Sequence, residues 1–217
     1  MHNNISGMQQ KACNYSGFYS SYGKRLFDFI AGLTGLILLS PLFIVIGLAI
    51  KLTDTGPVFY KQIRTGQNFK PFYLIKFRSM VANEDKLGSM LTAKGDPRIT
   101  GIGKFLRKTK LDELPQLINV IKGDMSFVGP RPEVEKYVLL FKEEYNDILK
   151  VKPGITDYAA IEFRDEEEVL KSFENHEDGY IKEVLPIKIK LYKKYIKNKG
   201  FITDVRLVFL SLWRVVK

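Results

Sequence analysis

Two adjacent carboxylates, Asp112 and Glu113, sit in a run of cations. Arg107, Lys108 and Lys110 precede them, and the turn Gly129-Pro130-Arg131-Pro132 follows. Such a pair among cations has the ingredients of phosphate chemistry, in which a carboxylate can approach a phosphate only where positive charge neutralises both. It also suits the first turn of a helix, where negative charge complements the macrodipole. Leu114, Leu117, Ile118 and Ile121 recur at helical spacing and Gly123 ends the pattern. Asp112 is therefore expected at or near a helix N-terminus, with Glu113 in the first turn. Residue types alone leave both readings open.

Other segments must bring further cations to the pair. Pro57 to Met80 alternates apolar and polar residues around a turn at Thr65 to Lys70, the pattern of a hairpin. Its second arm places Lys76 and Arg78 on one face, available to an anion or simply solvated. Pro97 to Thr109 reads as a basic amphipathic helix with Ile102, Phe105 and Leu106 inward, flanked by Arg98 and Arg107. Ser126 to Pro132 is extended, because a residue before proline is pushed out of helical geometry. Glu133 to Lys150 reads as a helix, Val151 to Thr156 as a turn leading into Asp157 to Arg164, and Asp165 to Glu168 as a solvated helix start. Leu185 to Lys199 combines Leu185, Ile189, Tyr192 and Ile196 on one face with Lys188, Lys190, Lys193, Lys194 and Lys197. That suits an anionic membrane surface, or a core-packed helix with a solvated lysine face. Asp204 to Val216 is similar but more apolar, with Trp213 and Arg214 as interfacial anchors.

Phe29 to Ile50 carries no charge over a length that matches a bilayer-crossing helix. Ser40-Pro41 lies near its middle. Proline removes an amide donor, so the helix should kink or break there into halves of roughly 17 Å, each too short to span alone. Lys24 and Arg25 before the run and Lys51, Lys61 and Arg64 after it give no charge vector for a single crossing. A re-entrant hairpin satisfies both flanks, with Ser40 able to serve a backbone group freed at the bend; a kinked full span is the alternative.

At 217 residues and a net charge of +10, the chain has room for one sizeable domain with attachments and calls for an anionic partner. The expected organisation is a disordered leader over 1–22, a re-entrant membrane helix hairpin over 23–53, and a catalytic domain over 54–217. The fold class is α/β, predominantly helical: a broken re-entrant membrane helix, a small cytoplasmic domain and interfacial amphipathic helices. The single cysteine, Cys13, excludes an intramolecular disulfide. His2 and His176 are isolated, and zinc spacing, nucleotide fingerprints, repeats and nucleic-acid modules are missing from the sequence. No nucleic-acid partner is expected.

The ordered series KRLFDF (Lys24 to Phe29), Ser40-Pro41, KFRSM (Lys76 to Met80), DPRIT (Asp96 to Thr100), LDELPQLINVIKGDMSFVGPRP and VKPGIT resembles the bacterial sugar transferases, the monotopic polyprenyl-phosphate phosphoglycosyl transferase family. The resemblance implies transfer of a sugar 1-phosphate from a UDP-sugar to undecaprenyl phosphate, with release of UMP. It implies Asp112 as the nucleophile of a covalent intermediate, Glu113 completing the dyad, and Mg2+ as cofactor at Asp112 and Glu113. Lys76, Arg107, Arg131 and Arg164 match family basic positions, and Arg78 and Arg98 join them as expected substrate contacts. The implied location is the cytoplasmic face of a bacterial inner membrane, in contact with membrane lipid; homo-oligomerisation is left open. After VKPGIT the family's usual Gly-Trp-Ala-Gln is replaced by Asp157-Tyr158-Ala159-Ala160, which leaves the sugar undetermined. A non-catalytic membrane scaffold that binds anionic lipid is the competing reading.

Overall fold

The computed structural model describes residues 22–53, 56–81, 91–93 and 95–216. The leader expectation, and most of the polar segment between Val81 and Asp96, lie outside the described residues. The first element, α1 (Lys24–Thr53), contains the apolar run. It is helical throughout with Pro41 inside, so the helix is not interrupted at Ser40-Pro41 as a full break would require; a kink, the other form expected there, keeps the helical assignment. The reason is local: Ser40 Oγ donates to Ile37 O at 2.7 Å, and that carbonyl is the one the missing Pro41 amide would have served.

Both parts of α1 pack on the rest of the chain. On the N-terminal side, Gly32 and Gly35 let the helix come close to Val120, Ile121 and Leu117, and Arg25 donates to Val120 O and Ile121 O at 2.6 Å each. Asp28 accepts from Phe127 N at 3.1 Å, and Lys24 pairs with Asp204. On the C-terminal side, Ile46 and Ile50 join Phe77 and Leu106 in a core cluster, with Phe43 against Phe77. Between these contacts Ile37, Leu38, Ile44, Val45 and Leu48 stay exposed, as a lipid-facing surface would.

The expected hairpin forms from β1 (Phe59–Thr65) and β2 (Pro71–Phe77), paired antiparallel with Tyr60 opposite Lys76. After it come α2 (Gly101–Lys108), a 3-10 turn (Leu111–Glu113) and α3 (Gln116–Lys122), which ends at Gly123 with φ 90°, where glycine avoids the Cβ penalty. A short strand β3 (Ser126–Val128) pairs in parallel with β4 (Gly154–Thr156) across a helical crossover. That crossover is two helices, α4 (Glu135–Leu140) and α5 (Lys142–Ile148), because the backbone at Phe141 leaves helical geometry. Gly129 and Gly154 lie backbone against backbone, too close for a Cβ on either.

The remaining elements are α6 (Tyr158–Glu162), α7 (Glu166–Lys171), α8 (His176–Gly179), a π-helical turn (Tyr180–Val184), α9 (Leu185–Asn198) and α10 (Phe201–Val216). The main core gathers Tyr137, Tyr145, Ile148, Leu170, Leu185 and Tyr192 from α4, α5, α7 and α9. Lys188 corrects the expected lysine face of α9: it is only 3% exposed and belongs to this interior.

Candidate active site

Asp112 and Glu113 sit in the 3-10 turn between α2 and α3 rather than in the first turn of α3 itself. Lys110, with φ 57°, reverses the chain after α2 and so sets the turn. Two other elements supply cations. Lys76, one residue before the end of β2, places Nζ 3.2 Å from Glu113 Oε1. Arg131, from the extended segment after β3, reaches Glu113 with both Nη atoms: Nη1 donates to Oε2 at 3.1 Å, and Nη2 to Oε1.

The two carboxylates therefore differ although they are neighbours in sequence. Burial would raise the Glu113 carboxyl, but Arg131 and Lys76 overcome it and hold the group well below the usual carboxylate range. Asp112 goes the other way. It is 5% exposed, its Oδ1 has no hydrogen-bond partner, and burial raises its pKa against the opposing pull of Lys76. Glu113 is an ionised anchor for cations, and Asp112 is a more basic carboxylate with a buried, unpartnered oxygen. Environments that push two carboxylates apart in this way assign them different tasks.

The remaining expected residues are arranged less simply. Arg107 helps to stabilise the Asp112 anion, but its Nε and Nη2 donate to Glu167 Oε1 at 2.9 and 2.6 Å, and Nη1 donates to Ser79 Oγ at 3.3 Å. Arg98 is engaged locally with Asp96, Nη2 to Oδ2 at 2.7 Å. Arg78 is buried just beyond β2, its guanidinium packed on Gly56. Arg164 is half-buried in the turn between α6 and α7.

Sequence reading missed the residues that hold Arg131 in place. Glu133, two positions after it, accepts from Tyr180 Oη at 2.7 Å and from Lys188 Nζ at 2.9 Å, with Arg64 at 3.6 Å. Its backbone carbonyl accepts from Thr65 N at 2.9 Å, so the Arg131 segment is tied to β1 and α9 together. The only available signal was Glu133 directly following the Gly-Pro-Arg-Pro turn. Asp157 is likewise buried. Oδ1 caps α6 through Ala160 N at 2.7 Å, Oδ2 has no partner, and burial pushes its pKa up to about 7. Gln116, 1% exposed with Nε2 unpartnered, is a third buried polar group, four residues after Asp112.

Whether Mg2+ suits this donor set follows from the two carboxylates. Among the described residues no group of three or more His, Cys, Asp and Glu could close around a metal. Mg2+, however, is commonly held by one or two carboxylates together with substrate phosphates and water. The residues fit that mode: Asp112 would offer a carboxylate oxygen, and Glu113 would share one already engaged by cations.

The family model for bacterial sugar transferases matches residues 19–217. This chain belongs to that family. Among bacterial sugar transferases, relatives include the UDP-glucose:undecaprenyl-phosphate glucose-1-phosphate transferase of Escherichia coli (strain K12), 38% identical over 200 residues, covering 88% of this chain and 39% of the relative. A UDP-N-acetylgalactosamine-undecaprenyl-phosphate N-acetylgalactosaminephosphotransferase of Aeromonas hydrophila is 37% identical over 87% of this chain and 42% of its own. An uncharacterized sugar transferase of Bacillus subtilis (strain 168) is 37% identical over 89% of this chain and 87% of its own. The chain thus spans about two fifths of the first of these relatives and most of the last.

Proposed function

We propose that this bacterial sugar transferase is a phosphoglycosyl transferase that moves a sugar 1-phosphate from a UDP-sugar to undecaprenyl phosphate, or a similar polyprenyl phosphate, through an aspartyl intermediate. The observation that carries the reading is the buried, unpartnered Oδ1 of Asp112 beside the fully engaged Glu113. In the first step a carboxylate oxygen of Asp112 attacks the sugar-bearing phosphorus. The bond from that phosphorus to the bridging oxygen breaks, and UMP leaves with the oxygen. In the second step a phosphate oxygen of the polyprenyl phosphate attacks the same phosphorus and the aspartyl–phosphorus bond breaks, which restores the carboxylate. Lys76 and Arg131, fixed by Glu113, supply positive charge to the transferring group; Arg107 would join them by exchanging Glu167 for phosphate oxygens. Mg2+, held at Asp112 and Glu113, would neutralise the diphosphate when bound. Arg78, Arg98 and Arg164 complete the proposed substrate contacts.

The lipid acceptor places this chemistry at a membrane. Arg25 and Asp28 tie the start of α1 to the same body in whose core Ile46 and Ile50 near its end are buried. That favours a helix dipping into one leaflet, with both ends on the cytoplasmic face of a bacterial inner membrane, over a full span. The amphipathic α9 and α10 would rest on the same interface, α10 through exposed Ile202, Phe209 and Trp213. The direct test is UMP release from a panel of UDP-sugars with undecaprenyl phosphate and Mg2+, together with mass spectrometry for a sugar-phosphate adduct on Asp112. Asp112→Asn should abolish both signals; normal turnover by that variant would sink the nucleophile assignment.

A further inference from the structure

A second basic site lies away from the dyad. A cleft of about 360 Å3 opens between the hairpin and the end of α3, lined by Lys61, Tyr73, Ile75, Lys122 and Asp124. Lys61 and Lys122 are exposed, and neither has an acidic partner among the described residues. Asp124 is already occupied, accepting from Asn119 Nδ2 at 3.2 Å. Between the rim residues Lys122 and Asp124 sits Gly123. A Cβ there would lie 3.2 Å from the Arg25 guanidinium and 3.3 Å from Lys152 Nζ, so two more cations stand directly behind the rim. The last carbonyls of α3 are satisfied by Arg25, which leaves Lys122 free of any capping duty. Crowding is felt at Lys152, where burial and Arg25 push the ammonium below its usual value.

We infer that this cleft binds the phosphate headgroup of an anionic phospholipid in the leaflet that holds α1. Three observations select that occupant. The cations Lys61, Lys122, Arg25 and Lys152 outnumber the acids there, of which Asp124 and Asp28 are the ones that act on Lys152. The hairpin side of the cleft is bordered by Pro71, Phe72, Tyr73 and Ile75, but the surface it exposes is mainly polar, which suits the phosphate and glycerol of a headgroup more than an acyl chain. The hairpin face that carries Lys61 and Tyr73 also runs into the seat of the membrane helix: exposed Phe59 stacks on buried Phe77 at 5.4 Å, and Phe77 meets Phe43 of α1 at 5.0 Å. The inference rests on the membrane placement of α1 proposed above, but not on the dyad chemistry.

The test uses the full chain purified in a neutral detergent. Phosphatidylglycerol should raise the melting temperature and phosphatidylcholine should not. The Lys61→Gln/Lys122→Gln double variant should bind phosphatidylglycerol about 30-fold more weakly, from about 1 kcal/mol per lysine near an anionic surface. The Lys142→Gln/Lys171→Gln variant, at exposed positions of α5 and α7, should keep wild-type affinity. An equal loss in both variants would mean diffuse attraction and would overturn the cleft. Unchanged phosphatidylglycerol binding in the first variant would do the same, and so would an equal shift with inorganic phosphate alone. Failure of the wild-type chain to float with neutral vesicles would overturn the membrane placement itself, a result separate from either lysine variant.

Discussion

Two buried clusters of carboxylates and cations lie close together in this chain and are built to opposite specifications. At Glu133 and Lys188 the charges themselves are answered, although the Tyr145 and Tyr192 hydroxyls packed nearby have no partner: Lys188 Nζ donates to Glu133, Glu166 and Tyr180 at 2.9, 3.2 and 2.9 Å, using its three protons. Around Asp112 and Glu113 one carboxylate is saturated and the other keeps an unpartnered oxygen. A closed cluster holds shape, whereas an open one stores an unmet demand that a ligand can satisfy. Asp112 is held in that state by the rigidity of its neighbour, since Arg131 is fixed at one side by Glu113 and through its own segment by Glu133.

The comparison breaks most sharply at Asp112→Asn. Turnover should fall by at least about 10³-fold, while the melting temperature stays level or rises, because an unanswered buried charge is removed. A clear drop in melting temperature would mean that Asp112 serves the fold after all. Lys188→Met should do the reverse. It strands Glu133, and chemical denaturation should register a loss of about 3–5 kcal/mol. Glu113→Gln belongs to both clusters' logic, so a smaller loss of stability, about 1–3 kcal/mol, should accompany a clear loss of UMP release. If it changed stability alone, the cations would not be serving the substrate.

Acid should separate the clusters as well. Glu113 and Glu133 have depressed values, so their contribution to stability is complete above the ordinary glutamate range and fades only as pH falls through those lower values. Asp112 is raised and must be ionised to attack. Activity should therefore be lost on acidification before the fold is, as read by pH-rate profiles beside circular dichroism. The smallest effect belongs to Asp157. With a folded value of about 7, its protonated form is favoured in the fold, so its contribution to stability declines as pH rises from roughly 4 to 7 and is flat above. Asp157→Asn keeps the cap of α6 and should remove that slope, giving a higher melting temperature at pH 8 but little change at pH 4.

Local patterning made several of these elements legible in advance. Alternation revealed the hairpin, helical spacing revealed α9, the uncharged run revealed α1, and Gly123 marked the end of α3. Ser40 was legible too as the partner for a carbonyl freed at Pro41. What stayed hidden was set by distant partners. Nothing in the lysine-rich spacing of α9 distinguishes Lys188, whose burial depends on Glu133, 55 positions earlier. The pairing of β3 with β4 joins two three-residue strands that carry no period of their own. The engagement of Arg107 by Glu167 crosses 60 positions. At the dyad, residue types pointed to phosphate chemistry, but the inequality of the two carboxylates needed the positions of Lys76 and Arg131 in space.

The way α1 is seated has a practical consequence for anyone wishing to work with the catalytic portion in water. Cutting the chain after Thr53 would not release a soluble enzyme from a disposable tether. It would strip Ile46 and Ile50 from Phe77 and Leu106, uncover the faces of Val120 and Ile121, and leave the carbonyls at the end of α3 without Arg25. The shortened protein should aggregate, and a detergent would be required as much to replace missing core as to replace lipid.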